Sequence, residues 1–208
     1  MGDDELELLD RWCAGDPAAG NTLFKRHFGS VYRFFEHKVD TELDELVQET
    51  FLACVQSRDK FRRQSSFKTY LLAIARNTLF SYWRRQARQR PTLDFEEISV
   101  ASLSTSAGSK LARHEDRARL LHALRKLALD QQLLLELHYW EELERDQLAE
   151  VFDIEPATTR SRLFRARQAL RELLAGSDSA PADVSDADLD AWARMLRPPE
   201  EIGGGGER

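Results

Sequence analysis

The apolar residues between Glu142 and Leu173 recur at helical spacing in two adjacent stretches. The first stretch contains Leu143, Leu148, Ala149 and Phe152. Asp153 and Ile154 interrupt the pattern, and Pro156 suits the first position of a second helix because its missing N–H has no helical partner there. The second stretch places three apolar residues at i, i+3 and i+7, namely Leu163, Ala166 and Leu170. This pattern predicts two helices joined by a tight turn.

The second of these helices carries arginines on the faces that the apolar stripe leaves free. They are Arg160, Arg162, Arg165 and Arg167. A basic second helix is typical of a helix-turn-helix whose recognition helix enters a DNA major groove. The spacing alone also fits an ordinary helical hairpin with a solvated basic face, so both interpretations stay open at this point.

The N-terminal third of the chain predicts three amphipathic helices. The first runs from Glu5 to Ala14, and its predicted inward side consists of Leu6, Leu9 and Cys13. Asp16 and Pro17 predict an N-cap and first position for a second helix. That helix extends to about Lys38 and carries an aromatic stripe of Phe24, Phe28, Tyr32 and Phe35. We expect this stripe to be packed core rather than a cofactor site.

The third helix begins at Thr41 or Asp44 and has two contrasting sides. Its predicted inward residues are Leu43, Leu46, Val47, Phe51 and Leu52. Its predicted outer edge is acidic and polar and consists of Asp44, Glu45, Gln48 and Glu49.

Residues 58–90 combine aromatic and basic side chains in a predicted loop and a predicted helix. We expect residues 61–67 to form an exposed loop between two aromatic rings. A helix over 67–88 is predicted to bury Leu71, Ile74, Ala75 and Leu79. Rings interleaved with arginines suit single-stranded DNA, because bases stack on the rings while cations hold the phosphates. Trp83 is expected instead to pack inside the domain.

The remainder of the chain predicts a second helical domain between two polar segments. Residues 91–110 lose the helical period and predict a flexible linker. From about Leu111 two helices are expected to meet near Ala128–Asp130. Beyond Gly176 the chain is predicted to be largely disordered, with a possible short amphipathic helix whose stripe is Leu189, Trp192 and Leu196. Docking of this extension on a domain and plain disorder remain equal alternatives.

The predicted fold class is therefore all-α, with two small helical domains joined by a flexible linker and a helix-turn-helix in the C-terminal one. The predicted boundaries are residues 1–90 for the first domain and 113–175 for the second, with 91–112 as linker and 176–208 as C-terminal extension.

The net charge of −6 argues against a general nucleic-acid coat protein, but the charges are unevenly distributed along the chain. Residues 58–90 hold ten Lys or Arg against one Asp, and residues 156–175 hold five Arg against one Glu. Two basic islands in an acidic chain predict two separate contacts with polyanions. No membrane span or signal peptide is indicated, so we expect a cytoplasmic protein.

The sequence predicts neither a metal site nor a cofactor. Cys13 and Cys54 stand alone without the spacing of metal ligands or of a disulfide framework. The five His are scattered and form no ligand pattern. An enzyme, such as a nuclease using Asp44, Glu45 and Glu49, is disfavoured because no further ligand cluster joins these carboxylates.

Two long segments resemble the alternative bacterial sigma factors of the extracytoplasmic-function (ECF) type. The family's region 2 is similar to DELVQETFLACVQSRDKFRRQSSFKTYLLAIARNTLFSYWRR. Its region 4 is similar to LALDQQLLLELHYWEELERDQLAEVFDIEPATTRSRLFRARQALREL. The resemblance covers about residues 4–174 and implies a non-enzymatic factor that binds core RNA polymerase and directs promoter-specific initiation. A self-sufficient helix-turn-helix regulator is the alternative, which the basic island at 58–90 disfavours.

The resemblance also implies roles for individual residues. The segment implied to dock on the β′ clamp helices of the polymerase is Asp44, Glu45, Leu46, Val47, Gln48, Glu49 and Phe51. The positions implied to trap a flipped base of the −10 element and to read its neighbours are Phe61, Arg62, Arg63, Gln64, Ser65, Ser66, Phe67, Asn77 and Ser81. The β flap and an anti-sigma factor are further implied partners.

In region 4 the resemblance implies contacts with the −35 element. Groove-facing positions are Arg160, Ser161, Phe164 and Arg165, and implied phosphate contacts are Thr158, Arg162 and Arg167. Four positions depart from the usual pattern of the family. Asp153 stands where the turn glycine is usual, and Thr159 stands where an apolar residue is common. Gly20 occupies a position that is often aromatic, and Pro156 is shifted by one residue from its usual place. We expect Gly20 to loosen the first domain slightly and the turn to survive with Asp153.

Overall fold

The computed structural model describes residues 3–39, 41–61, 65–87, 115–175 and 191. These residues form two compact units, of which unit 1 reaches residue 86 and unit 2 comprises residues 115–175. Within the described ranges both units are built from helices and contain no β-strand. The predicted all-α class with two helical domains is confirmed. The predicted linker and nearly all of the predicted C-terminal extension lie outside the described residues, so their character and the domain boundaries stay predictions.

Unit 1 contains four α-helices and one short 3-10 turn. Their bounds are α1 Asp3–Cys13, α2 Pro17–Phe35, α3 Leu43–Gln56, the 3-10 turn Arg58–Lys60 and α4 Phe67–Ala87. Helix α2 begins where the sequence predicts, because the Asp16 carboxylate accepts hydrogen bonds from the N–H groups of Ala18 at 2.8 Å and Ala19 at 3.3 Å. The guanidinium of Arg11 donates to the same carboxylate and holds the pKa of Asp16 below its ordinary value.

The inward faces of α1, α3 and α4 differ in part from the predicted ones. In α1 the buried residues are Leu8, Leu9 and Trp12, whereas Leu6 is 40% exposed and Cys13 only half-buried. In α3 the buried residues are Leu46, Val47, Thr50 and Cys54, whereas Leu43 is half-buried and Leu52 is 55% exposed. Side chains two positions apart on a helix point about 200° away from each other. Because Leu8 is buried, Leu6 therefore points outward, and because Thr50 is buried, Leu52 does so too. Ile74 of α4 is likewise only half-buried.

Aromatic side chains fill the centre of unit 1. The rings of Trp12 and Phe67 meet edge to face with 5.7 Å between centroids, and those of Phe24 and Phe51 lie 5.0 Å apart. Such pairs contribute about 0.5–1.5 kcal/mol beyond the burial of their area. Of the predicted aromatic stripe of α2, only Phe35 is fully buried, whereas Phe24, Phe28 and Tyr32 are half-buried, so the prediction of a packed core holds only in part.

Unit 2 contains four helices, the last two of which form the predicted helix-turn-helix. Their bounds are α5 Glu115–Lys126, α6 Leu129–Tyr139, α7 Arg145–Phe152 and α8 Pro156–Ala175. Asp153 occupies the turn with φ 52° and ψ 51°, so the left-handed turn expected at this position is confirmed. The predicted stripe of α8 is also confirmed, since Leu163, Ala166 and Leu170 are buried.

Candidate nucleic-acid and polymerase interface

The recognition helix α8 exposes a compact set of polar, basic and aromatic side chains opposite its buried stripe. Arg160, Ser161 and Arg165 are exposed, and the ring of Phe164 is 64% exposed between them. Ser161 Oγ donates to the carbonyl of Thr158 at 2.9 Å. The arginines of this face form no ion pair with any acidic side chain described in residues 120–175. An exposed ring between two guanidinium groups that lack an ion pair is a surface that can read base edges, since Arg forms hydrogen bonds with guanine and apolar groups contact the thymine methyl.

The three predicted phosphate-contact residues of α8 are placed differently from the groove-facing set. Thr158 and Arg162 are half-buried at the edge of the helix. Arg167 lies on the other side, where its Nε donates to the hydroxyl of Tyr139 at 2.8 Å and its guanidinium lies 5.5 Å from the centroid of that ring. Arg167 therefore also ties the recognition helix to α6, a role that the sequence pattern did not indicate.

The loop predicted between Phe61 and Phe67 differs from the expectation at both ends. Phe61 is 9% exposed and Phe67 is 0% exposed, so the prediction of two aromatic rings on an exposed loop is wrong. The Phe61 ring packs against Tyr70, with 4.9 Å between centroids, and Phe67 belongs to the aromatic core. Periodicity did not reveal this because both rings lie at the ends of helical segments. The three predicted contacts Arg62, Arg63 and Gln64 lie outside the described residues.

The residues that flank this loop are held by short-range hydrogen bonds. Ser65 and Ser66 are half-buried, and Ser66 Oγ accepts from the N–H of Thr69 at 3.1 Å, which caps the first turn of α4. The hydroxyl of Tyr70 donates to the carbonyl of Ser57 at 2.8 Å, and burial raises the pKa of that hydroxyl. This hydrogen bond connects the C-terminal end of α3 to the first turn of α4, so both ends of the loop are held in position.

Helix α4 presents a polar strip on its exposed side. Asn77 and Ser81, one helical turn apart, are both exposed, and Arg84 continues the strip. Arg85 is exposed as well, with its Nη2 3.5 Å from the Glu49 carboxylate. The expected burial of Trp83 is confirmed, since its ring is 5% exposed.

The outer edge of α3 borders a broad groove in unit 1. Asp44, Glu45, Gln48 and Glu49 are exposed, as predicted. Leu46 and Val47 are buried at 1% and 4% exposure, so these two predicted contact residues support the helix from within. The groove has a volume of about 860 Å³, and its floor includes Phe24, Phe28 and Phe51.

Helix α2 forms the other side of this groove, which the sequence pattern did not predict. Lys25 and Asn21 stand on its rim across from Asp44 and Glu45. The available signal was the i, i+4 pair of Phe24 and Phe28, whose rings are half-buried rather than fully enclosed. The α2–α3 groove therefore combines an aromatic floor with an acidic rim, which suits a partner helix carrying both apolar and basic residues.

No group of three or more His, Cys, Asp or Glu side chains comes together to bind a metal among the described residues. Within those same ranges, no helix combines the length and apolar character that crossing a bilayer requires.

Comparison with known proteins gives matches to both units. The family model for Sigma-70 region 2 matches residues 23–89, and the model for Sigma-70, region 4 matches residues 117–170. The ECF RNA polymerase sigma-E factor of Haemophilus influenzae is 30% identical over 171 residues, covering 77% of this chain and 90% of that protein. The sigma-E factor of Salmonella typhimurium is 28% identical over 172 residues, covering 78% and 90%.

A solved structure shares the fold. The sigma factor RpoE from Bartonella quintana, crystallised in complex with the anti-sigma factor NepR, aligns with a TM-score of 0.59 at 21% identity. The alignment covers 76% of this chain and 97% of that chain.

A helical region 2 and a region 4 with a helix-turn-helix together define a sigma factor of the Sigma-70 class. This chain belongs to the ECF family of RNA polymerase sigma factors. It is an alternative sigma factor that directs transcription, and the partners of such a regulatory factor are core RNA polymerase and promoter DNA. The family and function expected from the sequence are confirmed.

Proposed function

We propose that the two units divide promoter recognition, with α8 reading the −35 element and unit 1 holding the melted −10 element. The exposed face of Arg160, Ser161, Phe164 and Arg165 carries this proposal, because it joins base-reading groups to unpaired positive charge. In unit 1, Asn77 and Ser81 are exposed on α4, where they are available to contact the melted strand. Residues 62–66 receive the extruded base.

The buried positions of Phe61 and Phe67 refine the proposed base capture. Extruding a base costs a few kcal/mol of unstacking, which contacts in the receiving pocket must offset. Because both rings belong to the core, the polar side chains between them make those contacts, and the rings hold the ends of the loop in place. Replacing Ser65 by Ala is thus expected to slow promoter opening without preventing binding of the duplex.

We further propose that the α2–α3 groove is the docking site for core polymerase. Its acidic rim of Asp44 and Glu45 and its aromatic floor fit an amphipathic basic helix, as expected for the clamp helices. An anti-sigma partner, expected from the family resemblance, remains a prediction that copurification from the native cell would test.

The proposed −35 role is tested by run-off transcription with purified core polymerase and a promoter selected by the holoenzyme. Arg160→Ala and Arg165→Ala are each expected to lower initiation about ten- to a hundred-fold, since a good bidentate contact is worth about 1–3 kcal/mol. Gln168→Ala is the matched control, because Gln168 is exposed on the same helix outside the proposed reading face and donates a hydrogen bond to the Glu172 carboxylate. Equal activity of all three variants would exclude α8 as the reading element.

The docking proposal is tested separately by measuring the affinity of the full chain for core polymerase. Glu45→Lys is expected to weaken this affinity at least ten-fold, since it places a positive charge on the acidic rim. Asp59→Lys is the control, because the Asp59 carboxylate is 90% exposed in the same unit and lies outside the groove. If both substitutions weaken binding equally, overall charge governs the association and the groove is not the docking site.

A further inference from the structure

Unit 2 carries an open groove beside the recognition helix, and most of the residues that line it are not among the proposed promoter contacts. The groove lies between the start of α6, the end of α7 and α8, and has a volume of about 220 Å³. Leu134 and Phe152 line its apolar part, and both are core residues at 2% and 4% exposure. Arg162, Arg165, Gln131 and Asp130 line the rest. Arg165 therefore belongs both to this groove and to the proposed DNA-reading face.

The groove has the size and charge to receive one aromatic side chain carried on an acidic segment. The open volume of about 220 Å³ is large enough for an indole ring, which can lie over Leu134 and Phe152 and against the guanidinium groups of Arg162 and Arg165. The two arginines outnumber the one aspartate, and neither arginine forms an ion pair with an acidic side chain described in residues 120–175. A ligand with carboxylates around an aromatic ring complements this arrangement.

The chain itself contains such a segment. The acidic extension, residues 176–208, holds eight Asp or Glu against three Arg, a net charge of −5. Trp192 lies in its apolar stripe with Leu189 and Leu196, and Asp186, Asp188 and Asp190 precede the indole closely. Of residues 176–208, only Ala191 lies within the described ranges.

We propose that the acidic extension docks in the groove of unit 2, with Trp192 against Leu134 and Phe152 and its aspartates beside Arg162 and Arg165. The α2–α3 groove of unit 1 is larger, but on its rim Asp44 and Glu45 outnumber the single cation Lys25, so the net charge there repels an acidic segment. Charge thus selects the groove of unit 2 as the site for this occupant.

The length of the connection permits this docking. Arg165 and the end of α8 at Ala175 are separated by ten helical residues, or about 15 Å. Sixteen residues, 176–191, separate Ala175 from Trp192, and an unstructured chain of that length would have a root-mean-square span of about 20–24 Å, which is enough for the return path. A connection of matching length gives an effective concentration in the millimolar range, so a contact with a Kd of about 1 mM is already substantially populated.

Docking places the extension over Arg165 and next to Phe164 and competes with duplex DNA for the recognition helix. The consequence for DNA rests on the proposed −35 role of α8, whereas the docking itself does not. The extension then acts as an internal competitor that is displaced when promoter DNA binds.

The docking is tested by amide NMR spectra of the full chain, comparing the native protein with Trp192→Ala. Removing the indole is expected to shift the resonances of Gln131, Leu134 and Arg165, at both low and high protein concentration. Ala191→Ser is the control, since Ala191 is exposed beside the stripe and its replacement is expected to leave these resonances in place. Unchanged groove resonances, shifts confined to α2 and α3, or shifts that depend on concentration would each overturn the proposal.

The consequence for DNA is tested by the affinity of the same full chains for a −35 duplex. Trp192→Ala is expected to raise the affinity about three- to ten-fold, although it leaves the charge of the extension unchanged. A combined change of Asp186, Asp188 and Asp190 to Asn is expected to raise it as well. If only the combined change acts, the extension repels DNA through its charge without docking, which contradicts the proposal. If the NMR shifts occur and no variant changes DNA affinity, the docking stands and the −35 role of α8 fails.

Discussion

The indole of Trp12 packs directly on the backbone of Gly20. A Cβ added at Gly20 would lie 2.6 Å from Nε1 of the indole, which is closer than real Cβ contacts allow. Trp12 is 4% exposed and also contacts the rings of Phe24 and Phe67 edge to face. The expectation that Gly20 loosens the first domain is therefore wrong, because the missing side chain provides the space in which α1 docks on α2.

Gly20→Ala is accordingly expected to destabilise unit 1 even though alanine favours helices. The added methyl group must displace the indole from its aromatic neighbours, and such overpacking costs about 1–3 kcal/mol. Urea unfolding followed by tryptophan fluorescence measures the change. Gly29→Ala is the control in the same helix, where the nearest atom to a new Cβ is the flexible end of Arg33 at 3.2 Å. Equal stability of the two variants would show that the Trp12 contact imposes no constraint.

Thr159→Val is expected to stabilise unit 2. Thr159 is fully buried in α8, and its hydroxyl has no hydrogen-bond partner within the described part of the chain. Replacing an unpaired buried hydroxyl by a methyl group of the same shape removes a desolvation penalty of about 1–3 kcal/mol, so thermal unfolding should shift upward. The half-buried neighbour Thr158→Val serves as control and should change stability by less than about 0.5 kcal/mol. A lower melting temperature for Thr159→Val would mean that the hydroxyl has a partner.

Asp153→Val is expected to destabilise the turn between α7 and α8. Asp153 adopts φ 52°, where a β-branched residue is strained by about 1–2 kcal/mol. Asp153→Gly accepts this backbone geometry and should retain stability close to that of the native chain. Chemical denaturation of both variants provides the comparison, and equal losses would indicate that the Asp153 side chain, rather than its backbone, matters.

Cys54 should resist thiol reagents in the native protein while Cys13 reacts. Cys54 is fully buried in α3, and burial raises the pKa of its thiol to about 12, whereas Cys13 is half-buried. Alkylation with and without denaturant, followed by mass spectrometry, distinguishes the two thiols. Rapid native alkylation of Cys54 would contradict the packed position of α3.

The same pKa shift fixes the sign of a pH effect on stability. The folded state holds the Cys54 proton more tightly than the unfolded state, whose thiol has a pKa of about 8.5. The stability that this difference contributes is complete below that pH and is lost as pH rises toward 12. Cys54→Ala removes the titrating group, so its free energy of unfolding should fall less steeply with pH between these values. Parallel pH profiles would exclude a contribution from Cys54.

Several features follow from the local sequence. The Asp16–Pro17 start of α2, the turn at Asp153 and the stripe of Leu163, Ala166 and Leu170 were all predictable. Caps, turns and amphipathic periods depend on residues within one or two helical turns, so a single sequence contains the relevant information. The resemblance in regions 2 and 4 then supplied the family.

The tertiary structure decided which surfaces face inward and which remain available. In the folded chain Phe61 and Phe67 are buried, Leu6 and Leu52 face outward, and Arg167 donates a hydrogen bond to the hydroxyl of Tyr139. Helical period alone fixes the angle between side chains on one helix but not the direction in which a neighbouring helix lies. That direction depends on contacts between residues far apart in the chain, such as Trp12 with Phe67. The sequence by itself therefore determined the helices and the family, and only packing between helices determined the faces that remain to bind DNA and polymerase.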